Sequence, residues 1–357
     1  MNSRSILMVV SLALSVLIGL VLARGGQSNN AKSGSKAPRI GLSLDTLKEA
    51  RWQSDRDLFV KRAGELGATV EVQSANGDDN QQIRDVESLL TSGVDALVIV
   101  PHDGVAMARA VEMAHKVGVP VISYDRLIRD SDVDLYLSFD NVKVGELQAK
   151  YVVNKLPGGK GRIVRVYGSP TDNNAKLFKQ GQDNILNPLI KKGDIKVVRE
   201  DWAEDWKPDN AKRIVNAAIT DTGGKFDAVL ASADGVAGGA IQALSEAGLA
   251  GKIIVTGQDA ELAALQRIAQ GTQSMSIYKP LKILATQGAE AAVDLATGKP
   301  IIATRTTNNG KIEVPSKLND IYVAEKSNLV PLVIKDGFQK YDEVYRGVPA
   351  DKRPPRP

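Results

Sequence analysis

Short apolar runs punctuate the chain at 39–44, 69–73, 96–100, 119–123 and 135–138. They recur at 162–167, 195–199, 227–231, 252–256 and 274–278. Their length and their content of Val, Ile and Leu predict strands buried on both faces. Between them lie stretches with helical spacing, such as 81–92, 104–117, 144–155 and 238–247, and several stop at a glycine: Gly93, Gly118 and Gly248. Glycine at that point suits a helix C-terminus. Strand and helix in alternation predict an α/β protein whose parallel sheets are covered by helices on both faces. Ten strands divide into two sheets of about five, with a break near 138–141. The two halves share a pattern and no close sequence repeat.

The ends of the chain read differently. Arg4 precedes an apolar run from Ile6 to Ala23, and Val21-Leu22-Ala23 resembles a signal-peptidase site. Eighteen residues also suffice to span a bilayer, so residues 1–23 are read as a signal peptide or an N-terminal anchor. Residues 24–38 are rich in Gly, Ser and Asn and read as a flexible linker. The formal charge of +4 misleads. Residues 1–39 carry +5 and residues 346–357 carry +3, which leaves −4 for the core between them. A mildly acidic core lacks the clustered Lys and Arg that a nucleic-acid footprint needs, and the basic tails read as solvated. With no cysteine and two histidines, neither a disulfide nor a zinc site is expected, nor is a cysteine-linked lipid anchor.

In open α/β sheets ligands bind beyond the carboxyl ends of the strands. Polar and aromatic residues concentrate there in this sequence. Arg51 and Trp52 follow the first run, Asp125-Arg126 the fourth, and Asp172, Asn173 and Asn174 the sixth. Trp202, Asp234, Asp259 and Lys279 follow the next four. That inventory suits a monosaccharide. Indole rings stack on its C–H faces, carboxylates accept from its hydroxyls, and Arg, Lys and Asn donate to its oxygens. Charged hydrogen bonds of about 1.5–3 kcal/mol each, less the cost of binding, give an affinity of roughly micromolar. Blander readings stand beside each residue. A lone aspartate after a strand is commonly a helix N-cap, which suits Asp234 best and Asp259 in part. Trp206 reads as structural, and His102 as a loop residue.

The same residues carry a family likeness. The stretch ARWQSDRDLFVKRAGELGATVEVQSANGDDNQQ, with SYDRLI, SFDNVKVGELQAKY, GSPTDNNAKLF, ADGVAGGAIQAL, TGQDAELAALQRIAQGTQSM and YKP, resembles periplasmic D-xylose-binding proteins over residues 38–340. The resemblance implies a type I periplasmic-binding-protein fold: two doubly wound parallel-sheet lobes joined by a three-crossing hinge. It implies crossings near 138–140, near Lys279 and near 305–310. The lobes would then be 39–138 with 280–305, and 139–279 with 306–345, followed by a tail at 346–357. The implied sugar contacts are Arg51, Trp52, Asp125, Arg126, Asp172, Asn174, Trp202, Asp259 and Lys279. Trp52 and Trp202 would sandwich the ring, while Arg126 and Asp259 reach it from opposite lobes. One departure stands out: Ala233 occupies a position where the family usually has asparagine, which puts the exact ligand in question more than the fold.

The implied function is the extracytoplasmic binding component of an ABC sugar importer. It would work as a monomer without a cofactor and deliver D-xylose to a membrane permease. Another monosaccharide (ribose, arabinose, glucose) is the alternative ligand, and a chemoreceptor is a further possible partner. A sugar-acting hydrolase has paired carboxylates in its favour but no nucleophile elbow, Walker loop or metal cluster. A sugar-responsive transcription factor would need a DNA-reading module where this chain has its leader.

Overall fold

The computed structural model describes residues 36–357. The expected leader, and the expected linker save its last three residues, lie outside the described residues. From Pro38 to Pro357 the chain forms one compact unit with a seven-stranded, a four-stranded and a two-stranded sheet.

The first sheet contains β1 (Arg39–Leu44), β2 (Thr69–Ser74), β3 (Ala96–Val100), β4 (Val121–Tyr124) and β5 (Leu135–Phe139), ordered β2-β1-β3-β4-β5 and all parallel. Every residue of β3 is buried, as a strand with covered faces requires. Helix α1 (Ala50–Glu65) packs on one face, contributing Trp52 and Phe59. Helices α2 (Asp79–Ser92) and α3 (Ala108–Lys116) cover the other with Val86, Leu89 and Val111. The register aligns Leu44 with Val100, Ile99 with Ser123, and Tyr124 with Leu137. The strands therefore finish in step, and the loops leaving them share one rim.

After Phe139 the chain passes to the second lobe through α4 (Asn141–Lys155). There β6 (Gly161–Tyr167), β7 (Ile195–Trp202), β8 (Ala228–Ala231) and β9 (Ile254–Val255) form a parallel sheet in the order β7-β6-β8-β9. Helices α4 and α5 (Asn173–Lys192) cover one face, and α6 (Pro208–Thr222) and α7 (Asp234–Glu246) the other. A bridge from Gln258 to Ile277 extends the sheet to β10 (Met275–Tyr278), after α8 (Leu262–Gln270). The second passage follows Tyr278. It leads into α9 (Leu281–Ala296), whose Leu281, Leu284 and Ala285 complete the core around α1.

All ten expected strands are present. Three more were not expected: β11 (Arg305–Asn308), β12 (Glu313–Asn319) and β13 (Tyr322–Glu325). They escape periodicity because β11, reading RTTN, is largely exposed, and β12, reading EVPSKLN, has neither a continuous apolar run nor a strict alternation. They also correct the hinge. β12 runs parallel beside β5, with Asn319 opposite Phe139, so residues 306–319 belong to the first lobe. The third passage falls between Asn319 and Tyr322, where β13 joins β10, and not near 305–310. The basic tail is not merely solvated. Val348 is buried in the second lobe, with Tyr345 and Val344 of α10 (Tyr341–Val344) and its flank, and Tyr341 Oη donates to the Pro354 carbonyl.

Helices α4 and α5 touch backbone to backbone. A Cβ on Gly145 would stand 1.9 Å from the Phe178 carbonyl oxygen, and one on Gly181 would stand 1.9 Å from that of Val142. This contact fixes where α5 begins and hence where Asp172 and Asn174 point. Gly145→Val is expected to overpack the contact and to cost about 3 kcal/mol, read as a lower urea midpoint at unchanged slope.

Candidate ligand-binding site

The two rims of strand ends face each other and enclose a cavity of about 550 Å³, counting its open mouth. That size is ordinary for a small-molecule site. Eight of the nine sequence-expected residues line it: Arg51, Trp52, Asp125, Arg126, Asp172, Asn174, Asp259 and Lys279.

Two aspartates are placed by the same device in each lobe. Asp125 follows β4 with φ 62°, and its N–H donates to the Leu137 carbonyl of β5. Asp259 follows β9 with φ 91°, and its N–H donates to the Ile277 carbonyl of β10. A non-glycine residue held at positive φ costs on the order of 1–3 kcal/mol. Here that conformation sends both carboxylates into the cleft while tying each to the strand that feeds a hinge passage.

Arg51 joins them. Its Nη2 donates to Asp125 Oδ2 at 2.8 Å and to Asp55 Oδ2 at 3.1 Å, while Nη1 reaches across the lobes to Asp259 Oδ1 at 3.1 Å. The guanidinium lies 4.1 Å from the centre of the Trp52 ring. Arg126 approaches the same ring at 5.3 Å. It pairs with Asp45 at 2.7 Å in its own lobe and with Asp172 at 2.9 Å in the other. Asn174 Nδ2 donates to Asp125 Oδ1 at 3.2 Å, a third bond between lobes. Lys279, 1 % exposed, meets Asp259 at 3.1 Å.

The tryptophans correct the sequence reading. Trp202 is the last residue of β7 and does not line the cavity; it packs on Tyr167 with ring centres 4.9 Å apart. Trp206 lines it instead. A short turn, with φ of 52° at Asp205 and 57° at Trp206, folds this indole back over Gly168, where a Cβ would come within 2.0 Å of the ring. Its Nε1 donates to Asp172 Oδ2 at 3.2 Å. Strand alternation cannot foresee this, because the turn reverses the facing of the two tryptophans. Glu49, Phe178, Gln258 and Glu261 also line the cavity and were missed. Glu49, Gln258 and Glu261 lie within two residues of expected site residues, the signal that points to them in the sequence.

Asp234 is not the cap of its own helix. Its carboxylate accepts from Gln273 Nε2 at 2.8 Å, Ser276 Oγ at 2.7 Å and the Glu261 N–H at 3.0 Å, lacing strand ends of the second lobe together. His102 lies between Asp79, 2.8 Å away in its own lobe, and Asp205, 3.8 Å away in the other.

Burial and charge compete throughout. Burial pushes Asp125 up, but Arg51, Lys279 and Arg126 together hold it below the usual carboxylate range. At Arg51 burial is outweighed by Asp125, Asp259 and Asp55, which hold it charged. Where cations are fewer, burial prevails: Asp55 is pushed up to about 6, Asp234 to about 7, and Glu261 to about 8.

A closed cleft with rings, carboxylates and cations from both sides defines a two-lobed solute receptor. Residues 40–300 match the family described as a periplasmic binding protein domain, and the chain belongs to that family, with its type I fold. It is 49% identical over 315 residues to the D-xylose-binding periplasmic protein of Escherichia coli, covering 88% of this chain and 95% of that one. It is 48% identical to its namesake from Haemophilus influenzae, covering 93% and 98%. The solved carbohydrate transporter solute binding protein of Chloroflexus aurantiacus, in complex with D-glucose, superposes with a TM-score of 0.81 at 32% identity, covering 87% of this chain and 98% of that one.

Asp234 carries a pH dependence whose sign follows from its raised value. The folded state holds this proton more tightly than the unfolded chain, so its contribution is full below about pH 4 and is lost as the pH rises through about 7. Ser276, Gln273 and Arg267 oppose the effect of burial, Asp259 adds to it, and Asp234 in turn helps to raise Glu261. Asp234→Asn, which cannot ionise, is expected to gain stability relative to wild type, on the order of 2 kcal/mol, between pH 5 and pH 8. Denaturant unfolding at the two values measures the difference.

Proposed function

We propose that this protein is the extracytoplasmic receptor of an ABC sugar importer, binding D-xylose in the cleft and presenting the closed form to a membrane permease. The observation that carries this reading is the convergence of Asp125, Asp172, Asp259, Arg51, Arg126 and Lys279 on one cavity walled by Trp52 and Trp206. Carboxyl groups and cations held in place by one another read a ring of hydroxyls from its edge. Two indoles offer flat apolar surface to the C–H faces. The two most identical relatives named above are called D-xylose-binding, and their likeness covers 88% and 93% of this chain.

Nothing in the arrangement serves bond cleavage. The carboxylates at its centre are each engaged by a cation, which suits holding a ligand in place. Ligand-dependent closure follows from the division of contacts. Arg51, Trp52, Asp125 and Arg126 belong to one lobe, Asp172, Asn174, Trp206 and Asp259 to the other. A sugar bonded to both sets favours the closed state by its differential affinity for it. Export across the cytoplasmic membrane, with the leader cleaved or kept as an anchor, and action as a monomer complete the proposal. The glucose complex of the Chloroflexus protein makes a hexose the second ligand to test.

Calorimetry against a pentose and hexose panel tests the assignment. D-xylose is expected to bind with a Kd on the order of micromolar. No heat with D-xylose and clear heat with another sugar would reject the ligand and keep the receptor. Within the same assay, Trp206→Ala and Asp259→Ala are expected to weaken xylose about tenfold or more. Trp202→Ala should stay within about twofold, since its ring packs outside the cavity. The reverse order for the tryptophans would contradict the placement of Trp206 at the sugar.

A further inference from the structure

Two polar groups in the wall of the cavity have no use in the network just described. Gln258 is 3 % exposed, and its Oε1 finds no hydrogen-bond partner among the described residues. Glu49, at the start of α1, has its Oε2 buried and likewise without a partner. A buried acceptor left unmade costs free energy comparable to a lost hydrogen bond. Both residues line the cavity, and they come from opposite lobes. Glu49 also lies near enough to Glu261 for its charge to help raise that carboxyl.

The wall beside them is small and apolar. Ala233, Gly235 and Val236 line the same cavity, and the Asp234 N–H, one residue past Ala233, donates to the Gln258 carbonyl at 3.0 Å. This side of the site thus combines a methyl-lined recess with two acceptors awaiting an O–H donor. A hydroxymethyl group matches it: its carbon suits the apolar recess and its hydroxyl suits the acceptors.

Resting on the sugar-receptor reading, we propose that Glu49 and Gln258 form a specificity subsite for the exocyclic hydroxymethyl group of an aldohexopyranose. The receptor therefore accepts D-glucose as well as D-xylose. The two sugars share one pyranose stereochemistry and differ by that group on C5. The common ring hydroxyls fall to the aspartates and cations, and the added hydroxyl alone falls to Glu49 and Gln258, its single proton shared between their two oxygens.

The test is calorimetry on the full chain with D-xylose, D-glucose and 6-deoxy-D-glucose, using wild type, Glu49→Ala and Gln258→Leu. Wild type is expected to bind both xylose and glucose. Each variant is expected to weaken glucose about tenfold while changing xylose by less than about threefold. 6-Deoxyglucose, which keeps the carbon and lacks the hydroxyl, should bind wild type about tenfold more weakly than glucose and be indifferent to both substitutions. Xylose binding serves as the check that each variant is folded. Wild type that binds xylose but not glucose overturns the subsite, as does an equal loss of both sugars in the variants. Wild type that binds glucose in the variant-sensitive way but ignores xylose keeps the subsite and rejects the pentose assignment instead.

Discussion

The fold is organised around one buried cation. Arg51 stands between Asp55 and Asp125 of its own lobe and Asp259 of the other, and among the described residues of the cleft no other cation spans so many carboxylates. A guanidinium removed from water is tolerable only when its donors are met, and removal of one partner from such a pair is costly. Arg51 supplies donors on three sides, and its fixed fork suits that geometry. The closed relation of the lobes follows, because the third carboxylate belongs to the far side. Arg126 repeats the arrangement with Asp45 and Asp172.

This electrostatic design explains why two aspartates sit in strained backbone. At positive φ, Asp125 and Asp259 turn back toward the cleft, and each is pinned by its N–H to a strand that leads into a hinge passage. A change in how either carboxylate is engaged is thereby felt close to the passages between lobes. Asp55 and Asp234 behind them, and Glu261 in the cavity wall, lack equal cationic company and are held up by burial. Asp125 is thus held charged while its less well paired neighbours are pushed toward the neutral form, so the acidic side chains crowd together without full mutual repulsion.

Much of the sheet framework could be read from the chain because burial on both faces demands continuous apolar runs, and β3 shows the demand at its plainest. Strands β11 to β13 obey a weaker constraint. They lie beyond β5 or beside β10, half in solvent, so Thr, Asn, Lys and Glu satisfy them, and no periodicity announces which lobe they join. That is why the third hinge passage was misplaced. The family likeness could supply the number of crossings, but only strand pairing locates the last one.

The sequence by itself determined the α/β class, the ten principal strands and the rule that polar residues at their exits meet in one cleft, because hydrophobic period and chain direction are local properties. For the same reason eight of the nine residues it singled out line one cavity. Tertiary structure alone decided which tryptophan enters the cleft. Trp202 and Trp206 are four residues apart with similar surroundings in the sequence, and the choice rests on a left-handed turn and on the bare backbone of Gly168 beneath the ring. It alone revealed that Glu49 and Gln258 face the cavity unpaired, since a missing partner is a fact about every neighbour in space, and no one-dimensional pattern records it.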